Sequence, residues 1–561
     1  MAEDYSRREF IQWAGATSGW MLLAPRGGWA KQIKDESAPV PDFVRRYGPV
    51  DSITEPQDVD VFLGDQPRQK AHPILWDKEN FLKKNPRPEP DEKTKVVIIG
   101  GGLGGVVSAY LLRDHQPILL EQAPRLGGNS KGEVWRGLPY SLGAAYFMEQ
   151  EEKSELYKLF HEVGIHSLCR IRDDDDLKLI DGKFRKNFWS GQYDSKNKSQ
   201  YFQLSELFKN ILNEEKGHIY PEIPLPIREF SEAPKMIEHL KKLDQIHFKA
   251  YLENHLGKGQ KLAPQIEQAL DKYFWSAFAC SISEISAAAA LNAYAAEFGK
   301  AYVAPGGNSK VVEQFLIHLL KKVPEKNLRP ESLVVDVQVR SSDVLVTYSD
   351  KDGKLKTIQA ERVVMAGPKF VAKKIIRDLE PERLSVLNKL TYRAYLVANV
   401  LIKKKVPSDL YDIYIMDKSA PTAEQSKISD IIVANFAKRP SHSSTVLTLY
   451  RGMPYPQGRA VLYEEDNFSR FRSEVERQLR EEILPPFGIK PSHIHGIRLT
   501  RWGHPMPLFS PGLLSDGSIE KIRRPFKDRV FFVNQDNWMM ASLESTVGEA
   551  QFWSREILKK L

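Results

Sequence analysis

Gly100, Gly102 and Gly105 stand in the spacing G-x-G-x-x-G directly after the β-branched run Val96-Val97-Ile98-Ile99. In that spacing the first glycine turns the chain, the second lets a pyrophosphate approach the backbone, and the third lets a helix pack closely on the strand. Leu103 and Gly104 complete the loop, a helical stretch from Val106 to Arg113 follows, and Pro117-Ile118-Leu119-Leu120-Glu121 reads as a second strand ending in an acid. This is a βαβ unit in which Glu121, with Gln122 beside it, can accept hydrogen bonds from a ribose diol while helix amides face a diphosphate. The chemistry implied is dinucleotide binding.

A second glycine loop, Arg125-Leu126-Gly127-Gly128-Asn129-Ser130, follows the acid. A dianionic diphosphate needs backbone donors and positive charge together, and this loop offers both, with Arg125 as the cation. With this loop in place the sequence resembles the flavin-containing amine oxidase superfamily, and the resemblance spans nearly all of the chain after its first 30 residues. Tyr140-Ser141-Leu142-Gly143-Ala144-Ala145-Tyr146-Phe147 looks like the family's loop beside the isoalloxazine, and Pro305-Gly306-Gly307-Asn308 like its helix entry. Val334 matches the valine whose backbone holds the adenine, and Phe532-Val533-Asn534-Gln535-Asp536 resembles the closing strand and acidic turn at the ribityl chain. A nearer resemblance is to exported FAD-dependent oxidoreductases with Arg501-Trp502-Gly503-His504 before that strand.

The resemblance implies non-covalent FAD, since no Cys or His occupies the setting used for covalent attachment. It also implies hydride transfer from a substrate C–H, next to an amine nitrogen, to flavin N5. The family's lysine near N5 is missing from Tyr395-Leu396-Val397-Ala398-Asn399-Val400-Leu401-Ile402, where Asn399 is the replacement. The candidates for the reacting region are therefore Asn399, His504 as a base or polar anchor, and Trp502 and Tyr146 as aromatic wall. Two alternatives stay open: a phytoene-desaturase-like desaturase or isomerase acting on an apolar substrate, and a flavoprotein that acts as a binding partner without turnover. The partners implied are a small-molecule substrate and an electron acceptor that the sequence does not name.

The elements that must position these residues imply an α/β chain, with a Rossmann-like FAD-binding domain of the amine oxidase type interleaved with an α+β substrate domain. The FAD-binding domain takes residues 93–148, 300–390 and 515–561, and the substrate domain 149–299 and 391–514. Residues 151–300 read as mostly helical, with Leu156, Leu159, Phe160 and Val163 on one stripe and an Ala-rich run from Ile285 to Phe298. Leu333–Val339, Val344–Tyr348 and Arg362–Met365 read as a β-meander joined to a parallel strand. Residues 31–92, rich in Pro and charge, read as an extended arm.

At the N-terminus, Arg7-Arg8 before Glu9-Phe10-Ile11, a short apolar run and Arg26 resemble a twin-arginine export signal over residues 1–30. That implies engagement with the twin-arginine translocase and a periplasmic address. No stretch reaches about 18 uninterrupted apolar residues, so no stable transmembrane anchor is expected.

Composition narrows the remaining classes. The 561 residues carry a net charge of +8 from 81 basic and 73 acidic side chains, with the basic runs short and scattered, which argues against a nucleic-acid groove. Two cysteines, Cys169 and Cys280, are too few for a disulfide framework and read as buried thiols. No His, Asp or Glu cluster has metal-ligand spacing, so no metal is expected.

Overall fold

A computed structural model describes residues 40–53, 62–65, 68–150, 152–173, 177–210, 234–416, 427–438, 443–454, 457–464 and 467–561. Arg7-Arg8, expected to belong to an export signal, lies outside these residues.

Val96-Val97-Ile98-Ile99 forms the end of the strand Glu92–Ile99, and its uninterrupted apolar character is explained by burial on both faces. Val96 and Ile98 enter one hydrophobic cluster, shared with the helices Leu103–Leu111, Asn308–Leu319 and Leu543–Leu558, while Val97 and Ile99 enter another on the opposite face. The strand sits in a seven-stranded sheet. In spatial order the sheet runs Leu328–Arg329, Ile118–Leu120, Glu92–Ile99, Leu355–Met365, Val344–Ser349 and Leu333–Val339, with Val530–Phe532 pairing beside Leu355–Met365. Glu92–Ile99 runs parallel to Ile118–Leu120 and to Leu355–Met365, and the latter turns back through two antiparallel strands. The meander and its parallel strand are thus present, the parallel strand starting seven residues earlier than Arg362, at Leu355.

A second seven-stranded sheet runs Ile494–Pro507, Tyr392–Ile402, Thr445–Gly452, Asp430–Val433, Asp412–Met416, Leu177–Ile180 and Lys183–Arg185. Alternation along Tyr392–Ile402 sets its two faces. Leu396, Ala398, Val400 and Ile402 pack into a cluster with Phe468, Phe471 and Val475 of the helix Asn467–Gln478, while Tyr395, Val397 and Asn399 face the loop 141–146.

The segment expected to be helical, 151–300, does carry the helices Glu155–Glu162, Lys198–Asn210, Pro234–Leu243, Phe248–Leu256, Pro264–Phe278 and Ala287–Ala296. It also gives Leu177–Ile180 and Lys183–Arg185 to the second sheet, which periodicity did not reveal because the buried Lys178 interrupts the apolar pattern. Ala287–Ala290 are wholly buried, their small side chains allowing an entire helix to sink into the core.

The arm departs from the extended reading. Within 31–92 the described residues include the helices Asp42–Tyr47, Arg68–Trp76 and Lys78–Lys84 and the strand Val50–Ile53, which pairs in parallel with Gly132–Trp135. Tertiary contacts override the Pro-rich composition: Lys78 pairs with the buried Asp336 at 3.3 Å, and Arg87 donates to Gln338 at 2.6 Å. Among the described residues no helix is long and apolar enough to cross a membrane, and no group of three or more His, Cys, Asp or Glu is arranged to hold a metal ion.

Candidate functional site

The glycine loop is closed by contacts that leave no room for side chains. Gly100 has φ +106°, a Cβ on Gly105 would run into the Gly100 carbonyl, and one on Gly104 would stand 2.7 Å from the Val533 oxygen. The helix therefore begins at Leu103, inside the glycine run and earlier than Val106, with Gly104 and Gly105 as its first turn. Its N-cap is Gly102, which supplies no side-chain oxygen, so the first-turn amides are left for another acceptor. The second loop meets the first backbone to backbone: Gly127 N donates to Gly101 O at 2.8 Å, and a Cβ on Gly128, itself at φ +58°, would lie 2.9 Å from the Gly102 Cα.

Glu121 is buried at the end of its strand and its carboxylate accepts from Gly101 N at 2.6 Å and Ala123 N at 2.8 Å. Its backbone oxygen takes Ser332 N at 2.7 Å, which brings the segment leading to the buried Val334 alongside. Leu103 and Ser130 are buried too, whereas Gln122 and Asn129 are exposed on the loop surface. At the same edge of the first sheet, beyond the parallel strand Val530–Phe532, Asp536 is buried and accepts from Lys369 N at 2.8 Å and the Tyr392 hydroxyl at 2.6 Å, and Gln535 donates to Pro505 O at 2.6 Å. Burial raises the Asp536 carboxyl above the usual carboxylate range.

Arg125 departs from the expected role. Its guanidinium is held by the arm, donating through Nε to Gly48 O at 2.9 Å, through Nη1 to Arg46 O at 3.1 Å and through Nη2 to Arg45 O at 3.1 Å and to Val50 O. These are carbonyls at and just beyond the C-terminal end of the helix Asp42–Tyr47, which attract a cation.

The loop 141–146 is held carbonyl by carbonyl, by side chains from and beside the second sheet and by Asn308 at the start of one helix. Asn399 Nδ2 donates to Ser141 O at 2.9 Å, Trp502 Nε1 to Leu142 O at 2.9 Å, the Tyr450 hydroxyl to Gly143 O, Asn308 N to Ala144 O at 3.1 Å, the Tyr411 hydroxyl to Ala145 O at 3.2 Å, and Asn308 Nδ2 to Tyr146 O at 3.2 Å. Ala145, Tyr146, Tyr395, Tyr411, Tyr450 and Trp502 form one aromatic cluster, joined by Met506. Burial pushes the Tyr146, Tyr395, Tyr411 and Tyr450 phenols well above their usual range, so they stay protonated and remain donors.

Beyond the aromatics lies a charged layer. The Tyr146 hydroxyl donates to Glu297 at 2.9 Å, and the Tyr273 hydroxyl to the same carboxylate at 3.2 Å. Arg172 pairs with Glu297 at 2.7 Å and with Asp412 at 3.5 Å while its guanidinium lies 5.1 Å over the Tyr146 ring. Asp412 and Asp430 are both buried and burial raises both carboxyls.

Of the four residues expected to face the reaction, Trp502 and Tyr146 are brought together here. Asn399 is not free for chemistry: it has no exposed surface, and Nδ2 is shared between Ser141 O and the Thr448 hydroxyl at 2.9 Å, because its pairing with Thr448 and Arg498 turns it into the space under the loop. It is a tether. His504 stands outside the aromatic cluster, its ring 4.2 Å from that of Phe370 and its Nε2 facing Arg459. Burial, then Arg459 and His72, pull its pKa down to about 3, so it is a neutral imidazole at ordinary pH. Arg501 lies over the Phe62 and Tyr463 rings at 4.8 and 4.5 Å and donates to Leu462 O at 3.0 Å. Sequence reasoning missed Tyr395, Tyr411, Tyr450, Arg172 and Glu297. Alternation placing Tyr395 on the same strand face as Asn399 was the available signal for the first.

Lys369 offers a test of the closing turn. It is buried, its ammonium donates to Asn537 Oδ1 and lies 4.4 Å over the Phe532 ring, and burial pulls its pKa down to about 7. Between that value and its ordinary one the unfolded chain binds a proton that the folded chain does not, so this group makes stability rise with pH from about 7 to about 10, by up to ~1.4 kcal/mol per unit. Urea melts of wild type and Lys369→Met across that range are expected to differ in slope, the variant losing this rise. Parallel slopes would refute the assignment.

The two interleaved sheets, the paired glycine loops and the acid at the second strand define a dinucleotide-binding redox flavoprotein of the two-part type. The chain belongs to the flavin-containing amine oxidoreductase family, whose profile matches residues 103–533. It is 21% identical over 543 residues, 86% of this chain and 79% of the relative, to oxidoreductase PigB of Serratia sp. (strain ATCC 39006). A shorter similarity, 29% over 127 residues covering 22% of this chain and 24% of the relative, connects it with 4,4'-diapolycopen-4-al dehydrogenase of Metabacillus indicus. Among solved structures, a double mutant of putrescine oxidase superposes with a TM-score of 0.62 at 15% identity, covering 83% of this chain and 99% of that one. The protein is thus a flavin-dependent oxidoreductase with the mixed α/β architecture of that family.

Proposed function

We propose that this protein is an FAD-dependent amine oxidoreductase that removes hydride from a carbon bonded to an amine nitrogen. The observation that carries the reading is the cluster of Tyr146, Tyr395, Tyr411, Tyr450 and Trp502 around the loop 141–146, backed by the Glu297 carboxylate on the Tyr146 hydroxyl. Aromatic faces attract an alkylammonium, whereas Glu297 is already paired with Arg172. Arg501, turned onto Phe62 and Tyr463, supplies no anchor for a substrate carboxylate, which favours amines over amino acids.

The bound FAD supplies a two-electron acceptor. The residues that fit its parts are Val334 at the adenine, Glu121 at the ribose, the amides of Gly102, Leu103, Gly104 and Gly105 with Gly127 and Gly128 at the diphosphate, Gln535 and Asp536 at the ribityl chain, and Ala144 and Ala145 at the ring. The fit rests on the uncapped first turn at Gly102 and on glycine contacts that a Cβ would fill. The chain's own contribution to the reaction is orientation and exclusion of water: fixed carbonyls at 141–146 hold the loop still, and the aromatic side chains screen the reacting carbon. Attachment is non-covalent in this reading. Burial raises the Cys280 thiol and pushes that of Cys169 to about 12, so neither is a ready nucleophile.

Arg7-Arg8 supports export through the twin-arginine translocase, after folding around FAD, to a periplasmic site of action. The partial similarity to a diapolycopenal dehydrogenase favours a second reading, oxidation or isomerisation of an apolar substrate.

The deciding experiment is anaerobic mixing of the purified holoenzyme with panels of monoamines, polyamines, amino acids, carotenoids and unsaturated fatty acids. Bleaching of the oxidised flavin band by one or more amines is expected. Bleaching or product formation with apolar substrates alone would transfer the assignment to the second reading, and no response to any class would leave a flavoprotein without turnover.

A further inference from the structure

The diphosphate of a bound dinucleotide needs a cation, and Arg125 is committed elsewhere. Its N–H groups meet the carbonyls of Arg45, Arg46, Gly48 and Val50, with the Asp51 carboxylate 3.7 Å away. A guanidinium has five donors in a fixed fork, so a group so engaged has little left for a second anion. Asn129, after the glycine pair, is neutral and exposed.

Lys131 is the next cation along the chain. Its backbone oxygen accepts from Leu142 N at 2.9 Å, which ties it to the start of the loop 141–146, and its Cγ would lie 3.3 Å from a Cβ on Gly127. It thus runs beside the contact of the two glycine loops. Glu121, Asp65 and Arg125 are the charges around it, and burial pulls its pKa below the usual lysine value. Its ammonium makes no hydrogen bond or ion pair with any described residue. The two acids nearby are already engaged: Glu121 holds Gly101 N and Ala123 N, and Asp65 accepts from Gly503 N at 2.5 Å and from the Tyr463 hydroxyl. Lys131 is half-buried, and an ammonium held beside the two glycine loops with no anion of its own gains from pairing with one.

We propose that Lys131 is the cation that pairs with the diphosphate of the bound FAD, doing the work Arg125 has given up to anchor the N-terminal arm. The assignment rests on the FAD reading. It divides the two basic residues of this region by role: Arg125 positions the second glycine loop through the arm, and Lys131 meets the ligand.

The test compares wild type, Lys131→Gln, Lys131→Met and Lys131→Arg in the full chain, as holoenzyme and after removal of the flavin. Binding of FAD, ADP and adenosine is measured by titration. In Lys131→Gln the dissociation constants for FAD and for ADP are expected to rise together by about 10- to 100-fold, with adenosine unchanged and Lys131→Arg within about threefold of wild type. Removing an unpaired cation should also raise the melting temperature of flavin-free Lys131→Met by about 2 °C or more while that of the holoenzyme falls. A loss for adenosine equal to that for ADP, or FAD and ADP affinities unchanged in Lys131→Gln, would overturn the proposal while leaving FAD binding by the wild type intact. A wild type that binds neither FAD nor ADP would overturn the proposal and the cofactor reading together.

Discussion

Glu549→Leu is expected to destabilise the protein by about 4 kcal/mol and to yield chain purified largely without flavin. Glu549 is buried in the closing helix Leu543–Leu558, where its carboxylate accepts from Asn537 Nδ2 at 2.5 Å, Trp538 Nε1 at 2.8 Å and Trp553 Nε1 at 3.0 Å, and pairs with Arg523 at 2.8 Å. Leucine takes this shared acceptor from two indoles, an amide and a guanidinium at once, and breaking a buried ion pair from one side costs about 3–5 kcal/mol. The four losses overlap, so their sum is not the expected figure. The consequence for the site follows from position: Asn537 and Trp538 directly follow Gln535 and Asp536, and Asn537 is also the acceptor for Lys369. Denaturant melts followed by tryptophan emission, with the flavin-to-protein ratio of the purified variant, check both halves. Glu549→Gln, which keeps two donors' acceptor and loses the charge, should fall between. A leucine variant within 1 kcal/mol of wild type with full flavin would show that the turn is held by other contacts.

Legibility in the sequence tracked how local each feature is. The strand, glycine loop, helix and acid from Val96 to Glu121 depend on neighbours within one βαβ unit, and periodicity and glycine spacing revealed them, down to close packing at Gly105. The helix start was displaced because glycines were read as loop, whereas packing on Val533 makes them the first helical turn. Arg125 was legible as a cation beside a glycine pair, but its destination is set by a helix some 80 residues upstream whose Pro-rich surroundings gave no helical signal. Asn399 shows the same limit in a strand. A polar residue in an apolar run reads as functional, and only the register against Thr448 and Arg498 reveals that it hangs a loop. Lys178 and Lys272, buried among aromatic and acidic groups, could not be told from surface lysines by sequence at all.

The loop 141–146 carries the second large prediction. Trp502 and Tyr450 belong to two strands of the second sheet and Tyr411 directly precedes a third, and each gives one hydrogen bond to a successive part of a loop that belongs to the cofactor side. Each also presents an aromatic face to the same cluster. Tyr411→Phe and Tyr450→Phe keep the faces and remove only the donors, leaving a carbonyl without that partner at a cost of about 1–3 kcal/mol each. Because both carbonyls sit in one short segment, release of the first loosens the second, and the double variant should depart from additivity by more than about 0.5 kcal/mol. Adding Trp502→Phe should bring the total to roughly 5 kcal/mol. If the loop borders the flavin, the triple variant should also blur the fine structure of the oxidised flavin spectrum and lower kcat more than it raises KM for the best amine found, since the aromatic faces that bind substrate remain. Trp502→Leu, which removes a face as well, should raise KM in addition. A triple variant with wild-type stability and an unchanged flavin spectrum would mean that the loop is rigid by its own backbone. The side chains of the second sheet would then only fill space beneath it.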